Sequence, residues 1–219
     1  MDETKLLIFD CDGTLVDSIG AWHEAELQLV SEVGVELTKE ERDELNALTL
    51  EEAAAFFHDR FGIRGSAQEV IEAILDYLLV FYLTRSKANP GALDFVRSLA
   101  GKGLSMCVLS SSPQSLIQAG MERGGFLPYM DRVISVEDLD MTKRDVATYE
   151  HVCELFGVTT AQSWFFDDSW YALATAREAG CKTVGVFSSD SCGTHEELAR
   201  YSDVVVDTFE ELDPTLFLA

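Results

Sequence analysis

The chain has 219 residues, 47% of them hydrophobic, and a formal net charge of -23. That length buries one sizeable core and leaves room for a second small domain, while the charge repels nucleic acid and anionic membranes, so neither is expected as a partner. The five cysteines, Cys11, Cys107, Cys153, Cys181 and Cys192, contain no C-x-x-C pair, and an odd number leaves at least one unpaired, so they read as reduced thiols that mostly fill the core.

The acidic start over residues 1–5 leads into a short apolar run ending at Asp10, which fits neither a secretory signal nor a membrane span and suggests a cytoplasmic protein. The run over 5–9 predicts a buried strand. Asp10-Cys11-Asp12-Gly13-Thr14 follows directly, so both carboxylates emerge at its C-terminal end, the edge where open α/β sheets bind ligands. Two acids closing in a glycine turn repel each other, and a cation or a shared proton relieves the repulsion. For an isolated D-x-D-G, a helix-capping turn is the competing explanation. Cys11, a neighbour in the same turn, points away from the two acids.

From residue 17 to about residue 88 no strand is expected. Apolar spacing there predicts helices over 22–33, 40–47, 50–61 and 68–84. Thr38 with Glu41, and Thr49 with Glu52, have capping-box spacing. The segment reads as an all-helical domain, 17–88, inserted into a core made of residues 1–16 and 89–219, with Asn89-Pro90-Gly91 as the return hinge.

Beyond it, strands predicted over 104–109, 132–135, 164–166, 183–187 and 204–206 alternate with helices over 90–99, 113–122, 146–156 and 170–179, whose stops fall at Gly101, Gly124, Gly157 and Gly180. This alternation predicts an α/β class: a Rossmann-like parallel sheet with helices on both faces. Ser110, Ser111 and Ser112 end one strand ahead of Pro113, Asp167 and Asp168 end another, and Lys143 with Arg144 precede the helix near Val146. Each feature alone reads as a helix cap or a solvated charge. At successive strand ends of one sheet they form the set that phosphoryl transfer needs. That set is an oxygen nucleophile, a proton donor for the leaving oxygen, hard ligands for magnesium and donors for the phosphoryl oxygens.

The run from Asp10 to Ser18, Asp-Cys-Asp-Gly-Thr-Leu-Val-Asp-Ser, resembles the first motif of the haloacid dehalogenase superfamily. Val108-Leu109-Ser110-Ser111-Ser112 resembles the second motif, Lys143 the third, and Phe165-Phe166-Asp167-Asp168-Ser169 the fourth, with the lysine-to-strand spacing of the β-phosphoglucomutase-like and phosphoglycolate-phosphatase-like branch. The resemblance implies a magnesium-dependent phosphatase of a small phosphorylated metabolite that works through an aspartyl-phosphate. Asp10 would attack phosphorus, and Asp12 would protonate the leaving group and then activate water. Magnesium would be held by Asp10, Asp168, the backbone carbonyl of Asp12, and Asp167 directly or through water. Ser110, Ser111, Lys143, Gly13 and Thr14 would bind the substrate phosphate. The helical insert resembles a cap that closes over the site and excludes bulk water.

Three departures stand out. Arg144-Asp145-Val146 follows the lysine where that branch has Pro-x-Pro, so Arg144 competes for the phosphate role. Trp170-Tyr171-Ala172 replaces a small glycine-containing turn, and Trp22 stands where relatives carry a histidine, with His23 one place later. Asp12 favours phosphate esters over carbon-halogen bonds and phosphonates. A sugar phosphate mutase and a non-catalytic binding protein of this fold remain as alternatives. The scattered cations Arg42, Arg60, Arg64, Arg85 and Lys87 speak against the first, and the filled chemical positions against the second. The residues leave oligomeric state open.

Overall fold

The computed structural model describes residues 3–45, 48–188 and 193–218. It divides into two compact units, Met1–Asp17 with Ser86–Ala219, and Ser18–Arg85. The chain runs through β1 (Leu6–Phe9) and β2 (Val16–Asp17) into four helices, α1 (Ile19–Glu32), α2 (Lys39–Leu45), α3 (Leu50–Phe61) and α4 (Ala67–Thr84). It returns through β3 (Lys87–Ala88), α5 (Ala92–Leu99), β4 (Ser105–Ser110), α6 (Gln114–Gly124) and β5 (Arg132–Ser135). Then follow α7 (Val146–Leu155), β6 (Ser163–Asp167), α8 (Trp170–Ala179), β7 (Lys182–Val186), α9 (His195–Tyr201) and β8 (Val204–Val206), and short 3-10 turns over Phe209–Glu211 and Pro214–Leu218.

In the larger unit, six strands pair in the order β5-β4-β1-β6-β7-β8, each pairing parallel. A parallel sheet is covered on both faces, which is why β1 is the unbroken apolar run Leu-Leu-Ile-Phe with every residue buried. Strand alternation divides its side chains between two cores. Phe9 and Phe166 stack at 4.6 Å on one face and pack with Phe95, Phe209 and Phe217. Leu6, Ile8 and Phe165 face the other way, against Tyr149, Val152, Leu173 and Ala176 of α7 and α8. Each such fully buried side chain contributes about 1.5–3 kcal/mol.

The smaller unit packs α1 and α3 against α4, around Ala25, Leu29, Ala54, Phe57, Val70, Ile74 and Leu78. Both expected capping boxes form: Glu41 N donates to Thr38 Oγ1 and Thr38 N to Glu41 Oε2, and Thr49 repeats the pattern with Glu52. The end of the helix expected over 40–47 lies outside the described residues, as do Met1, Asp2 and Cys192. The four described cysteines, Cys11, Cys107, Cys153 and Cys181, are free and buried. Among the described residues, no helix is long and apolar enough to cross a membrane.

Several local details differ from expectation. The segment expected to hold no strand is bracketed by a two-stranded antiparallel ribbon, Val16 opposite Ala88 and Asp17 opposite Lys87, too short to leave a period-two signature. The helix expected from Pro90 begins at Ala92 because Gly91 sits at φ 76°, and a Cβ there would stand 2.6 Å from Glu210 N. The next helix stops at Gly125 rather than Gly124, since the left-handed residue is Gly125 (φ 78°) and Phe126 folds back over Gly124. Two strands run one residue further than expected, to Ser110 and Asp167, which pair with Ser135 and Gly185.

Candidate active site

Parallel strands all end on one edge, so β1, β4 and β6 deliver their last residues side by side. Asp10 N donates to Phe166 O at 2.8 Å, carrying the pairing one residue past β1. The chain then turns sharply: Val16 N donates to Cys11 O at 2.8 Å and Gly13 N to Val16 O at 2.9 Å, with Gly13 at φ 76°, where only glycine is unstrained. Asn89, expected only as part of the return hinge, also holds this turn. Its Nδ2 donates to Gly13 O at 2.8 Å and to Thr14 O at 2.7 Å, and its backbone N to Leu15 O at 2.9 Å.

Lys143 is 5% exposed, and its Nζ donates to Asp10 Oδ1 and, at 2.8 Å, to Asp167 Oδ2. Asp167 Oδ1 accepts from Ser169 N at 2.7 Å, and Asp168 Oδ1 from Ser169 Oγ at 3.3 Å. Oxygens of Asp10, Asp167 and Asp168, all buried, lie within 4.8 Å of one another. Asp12 is half-buried and differently partnered, its Oδ2 accepting from Ser112 Oγ at 2.6 Å. Of the serine run, Ser110 is buried and its Oγ accepts from Ser112 N at 3.1 Å, while Ser111 is exposed. The hydroxyl that meets an acid therefore belongs to Ser112. Arg144 is exposed and lies over the Tyr171 ring, 4.1 Å from its centroid. Thr14 is fully buried, and its Oγ1 has no hydrogen-bond partner among the described residues.

Two of these carboxylates, Asp10 and Asp167, thus share one ammonium. Two like charges 4.8 Å apart repel by on the order of 3 kcal/mol at an effective dielectric of about 20. Burial pushes the Asp10 carboxyl well above the ordinary carboxylate range; Lys143 opposes that, and Asp167, Asp168 and Asp12 add to it. Burial works against the Lys143 ammonium, yet Asp10 and then Asp167 hold its pKa well above the usual lysine value. Burial, with Asp12 and Asp10 adding to it, keeps the Cys11 thiol protonated, so it supplies no nucleophile. Three clustered, buried carboxylates are hard oxygen donors and fit a hard divalent cation.

A family model described as haloacid dehalogenase-like hydrolase matches residues 7–186. The chain is 24% identical over 209 residues to the validoxylamine A 7'-phosphate phosphatase of Streptomyces hygroscopicus subsp. limoneus, covering 95% of each. It is 26% identical over 222 residues to a phosphoglycolate phosphatase of Agrobacterium fabrum, covering 98% of this chain and 93% of that one. A solved haloacid dehalogenase-like protein of Agrobacterium tumefaciens superposes with a TM-score of 0.77 at 26% identity, covering 97% of both chains.

Proposed function

This chain belongs to the haloacid dehalogenase-like hydrolases, and from that premise we propose that it is a magnesium-dependent phosphatase of a small phosphorylated metabolite, acting in the cytoplasm through a phosphate ester of Asp10. The observation that carries the reading is the unequal partnering of the two acids in one turn. Asp10 is buried against the Lys143 ammonium, while Asp12 is more open and held by the neutral Ser112 hydroxyl. Lys143 works against the burial that disfavours a charged Asp10, which suits Asp10 to attack, and Asp12, which meets a hydroxyl instead of that cation, is left the proton-transfer role.

In this mechanism an Asp10 oxygen attacks phosphorus. The new O–P bond forms as the ester P–O bond breaks, and Asp12 gives its proton to the departing oxygen. Asp12, now ionised, takes a proton from water as the water oxygen attacks the same phosphorus. The bond to Asp10 breaks, and inorganic phosphate leaves with both acids restored. Lys143 orients Asp10 and binds the transferring group's oxygens, assisted by Ser110, Ser111, Gly13 and Thr14, whose buried hydroxyl has no other partner among the described residues. Asp10, Asp167, Asp168 and the Asp12 carbonyl would hold magnesium, which supplies positive charge against the phosphoryl oxygens.

Two phosphatase relatives along nearly the whole chain support ester hydrolysis. The test is acid quenching of a labelled phosphate ester during turnover with magnesium. Label trapped on Asp10 in the natural enzyme and absent from Asp10→Asn is the expected result, and turnover without any protein-bound phosphate overturns the mechanism. A screen of phosphorylated metabolites that includes β-glucose 1-phosphate with its bisphosphate activator, scored separately for released phosphate and isomerised sugar, names the substrate class. Isomerisation without release would make the enzyme a mutase.

A further inference from the structure

A lysine ammonium rides on a flexible four-carbon stem, so holding it against two buried carboxylates demands a fixed backbone beneath it. The two carbonyls at that place are both taken by side chains of α7. Thr148 Oγ1 donates to Thr142 O at 2.7 Å, and the Tyr149 hydroxyl lies 3.0 Å from Lys143 O. The same hydroxyl lies 3.0 Å from Ala172 O, in the first turn of α8, the helix that follows Asp167-Asp168-Ser169 directly. A phenol has one proton, which two equidistant carbonyls share. The Tyr149 ring is fully buried and stands edge-on to Phe165 at 5.0 Å, two residues before Asp167 on β6. Among the described residues, its hydroxyl meets only these two carbonyls.

We infer that Tyr149 is a positioning residue, whose hydroxyl joins the backbone of the Lys143 loop to the start of α8 and so sets the separation between the ammonium and the Asp167–Asp168 pair. The inference rests on the assignment of Lys143 to Asp10 and the transferring phosphoryl group. Phenylalanine would fill the same space but leave both carbonyls without the phenol. Thr148 Oγ1 and Asp145 N would still hold the Thr142 carbonyl, but the Lys143 carbonyl would lose its link to α8, and the ammonium would move off Asp10. Small misplacements of reacting groups lower the rate of the chemical step more than they weaken substrate binding.

The experiment compares Tyr149→Phe, Lys143→Gln and the double variant in magnesium-dependent hydrolysis of an aryl phosphate, with single-turnover rates at enzyme excess for the slow forms and an unfolding midpoint for each. Loss of one neutral hydrogen bond predicts a fall in kcat of about three- to tenfold for Tyr149→Phe, with KM within about twofold. Added to Lys143→Gln, the same change should cost no further rate, because the group it positions is gone. Natural kcat in Tyr149→Phe overturns the inference. An equal fold-loss in both backgrounds also overturns it, since that is the mark of a purely structural tyrosine. A fully active Lys143→Gln overturns the site assignment and the inference together, whereas a crippled Lys143→Gln beside an unaffected Tyr149→Phe overturns the positioning role alone.

Discussion

Strand β6 begins and ends in buried polar clusters of opposite character. At its first residue, Ser163 Oγ donates to Thr160 O at 2.8 Å and lies 3.2 Å from Cys181 Sγ, while the Cys153 thiol donates to Ser163 Oγ at 3.6 Å. Among the described residues no carboxylate or ammonium joins this cluster; the hydrogen bond between the two thiols raises the pKa of Cys181, with burial adding to it, and lowers that of Cys153. At its last residue, Asp167 meets Lys143, Asp10 and Asp168 in a setting just as buried. Neutral groups buried with partners contribute modestly to stability, whereas carboxylates in excess of their cations oppose folding. Burial alone therefore does not distinguish the two ends. Charge does: the last residue joins three clustered carboxylates and an ammonium, the set that the proposed mechanism uses.

Substitutions at the charged end should separate activity from stability most widely. Asp10→Asn should lower turnover by on the order of 10³-fold or more, because the nucleophile is lost. Its unfolding free energy in metal-free buffer should hold or rise, since one of the clustered charges is gone while the amide oxygen still accepts from Lys143. A urea melt showing a loss of about 2 kcal/mol would end the contrast. Lys143→Ala should be damaging in both respects, with turnover down by on the order of 10²-fold and stability by about 3 kcal/mol, as two buried carboxylates lose their cation. Magnesium should stabilise the natural protein by about 2.7 kcal/mol at a hundred times its dissociation constant. Asp168→Asn should shrink that gain, as read from thermal midpoints with and without the ion.

Much of the charged end is legible in the amino-acid sequence because its chemistry is compressed into consecutive residues. Asp10 to Thr14 follow an apolar run directly, and Asp167-Asp168 close another, so a strand assignment alone places them on one edge. The buried strands are equally readable as unbroken apolar runs, and Thr49 with Glu52 marks a helix start by spacing. What escapes depends on contacts between distant segments. Which serine reaches Asp12 is decided by how the chain enters α6, and Ser112 does so from 100 positions away. Tyr149 falls at an apolar position of its helix and reads as core. Asn89 reads as a turn former, and the ribbon of β2 with β3 is two residues long on each side. None of these carries a local pattern strong enough to be recognised.

The two smallest effects test the comparison from its quiet side. Ser163→Ala removes the centre of the neutral cluster, leaving the Thr160 carbonyl and two thiols without that hydroxyl. Stability should fall by about 1–2 kcal/mol, and the rate per folded molecule should not change. A lowered kcat at full folding would mean that the two ends of β6 are coupled. Arg144→Ala should do least. Its guanidinium is exposed and engages the Tyr171 face, a contact that contributes about 0.5–1 kcal/mol at such sites. The buried ammonium one residue earlier already pairs with Asp10 and Asp167, so turnover of an aryl phosphate should stay within about twofold. If Arg144→Ala instead proved worse than Lys143→Ala, the cation serving the phosphoryl group would be the exposed one. The charged end of β6 would then have to be read as a structural ion pair rather than as the nucleophile's setting.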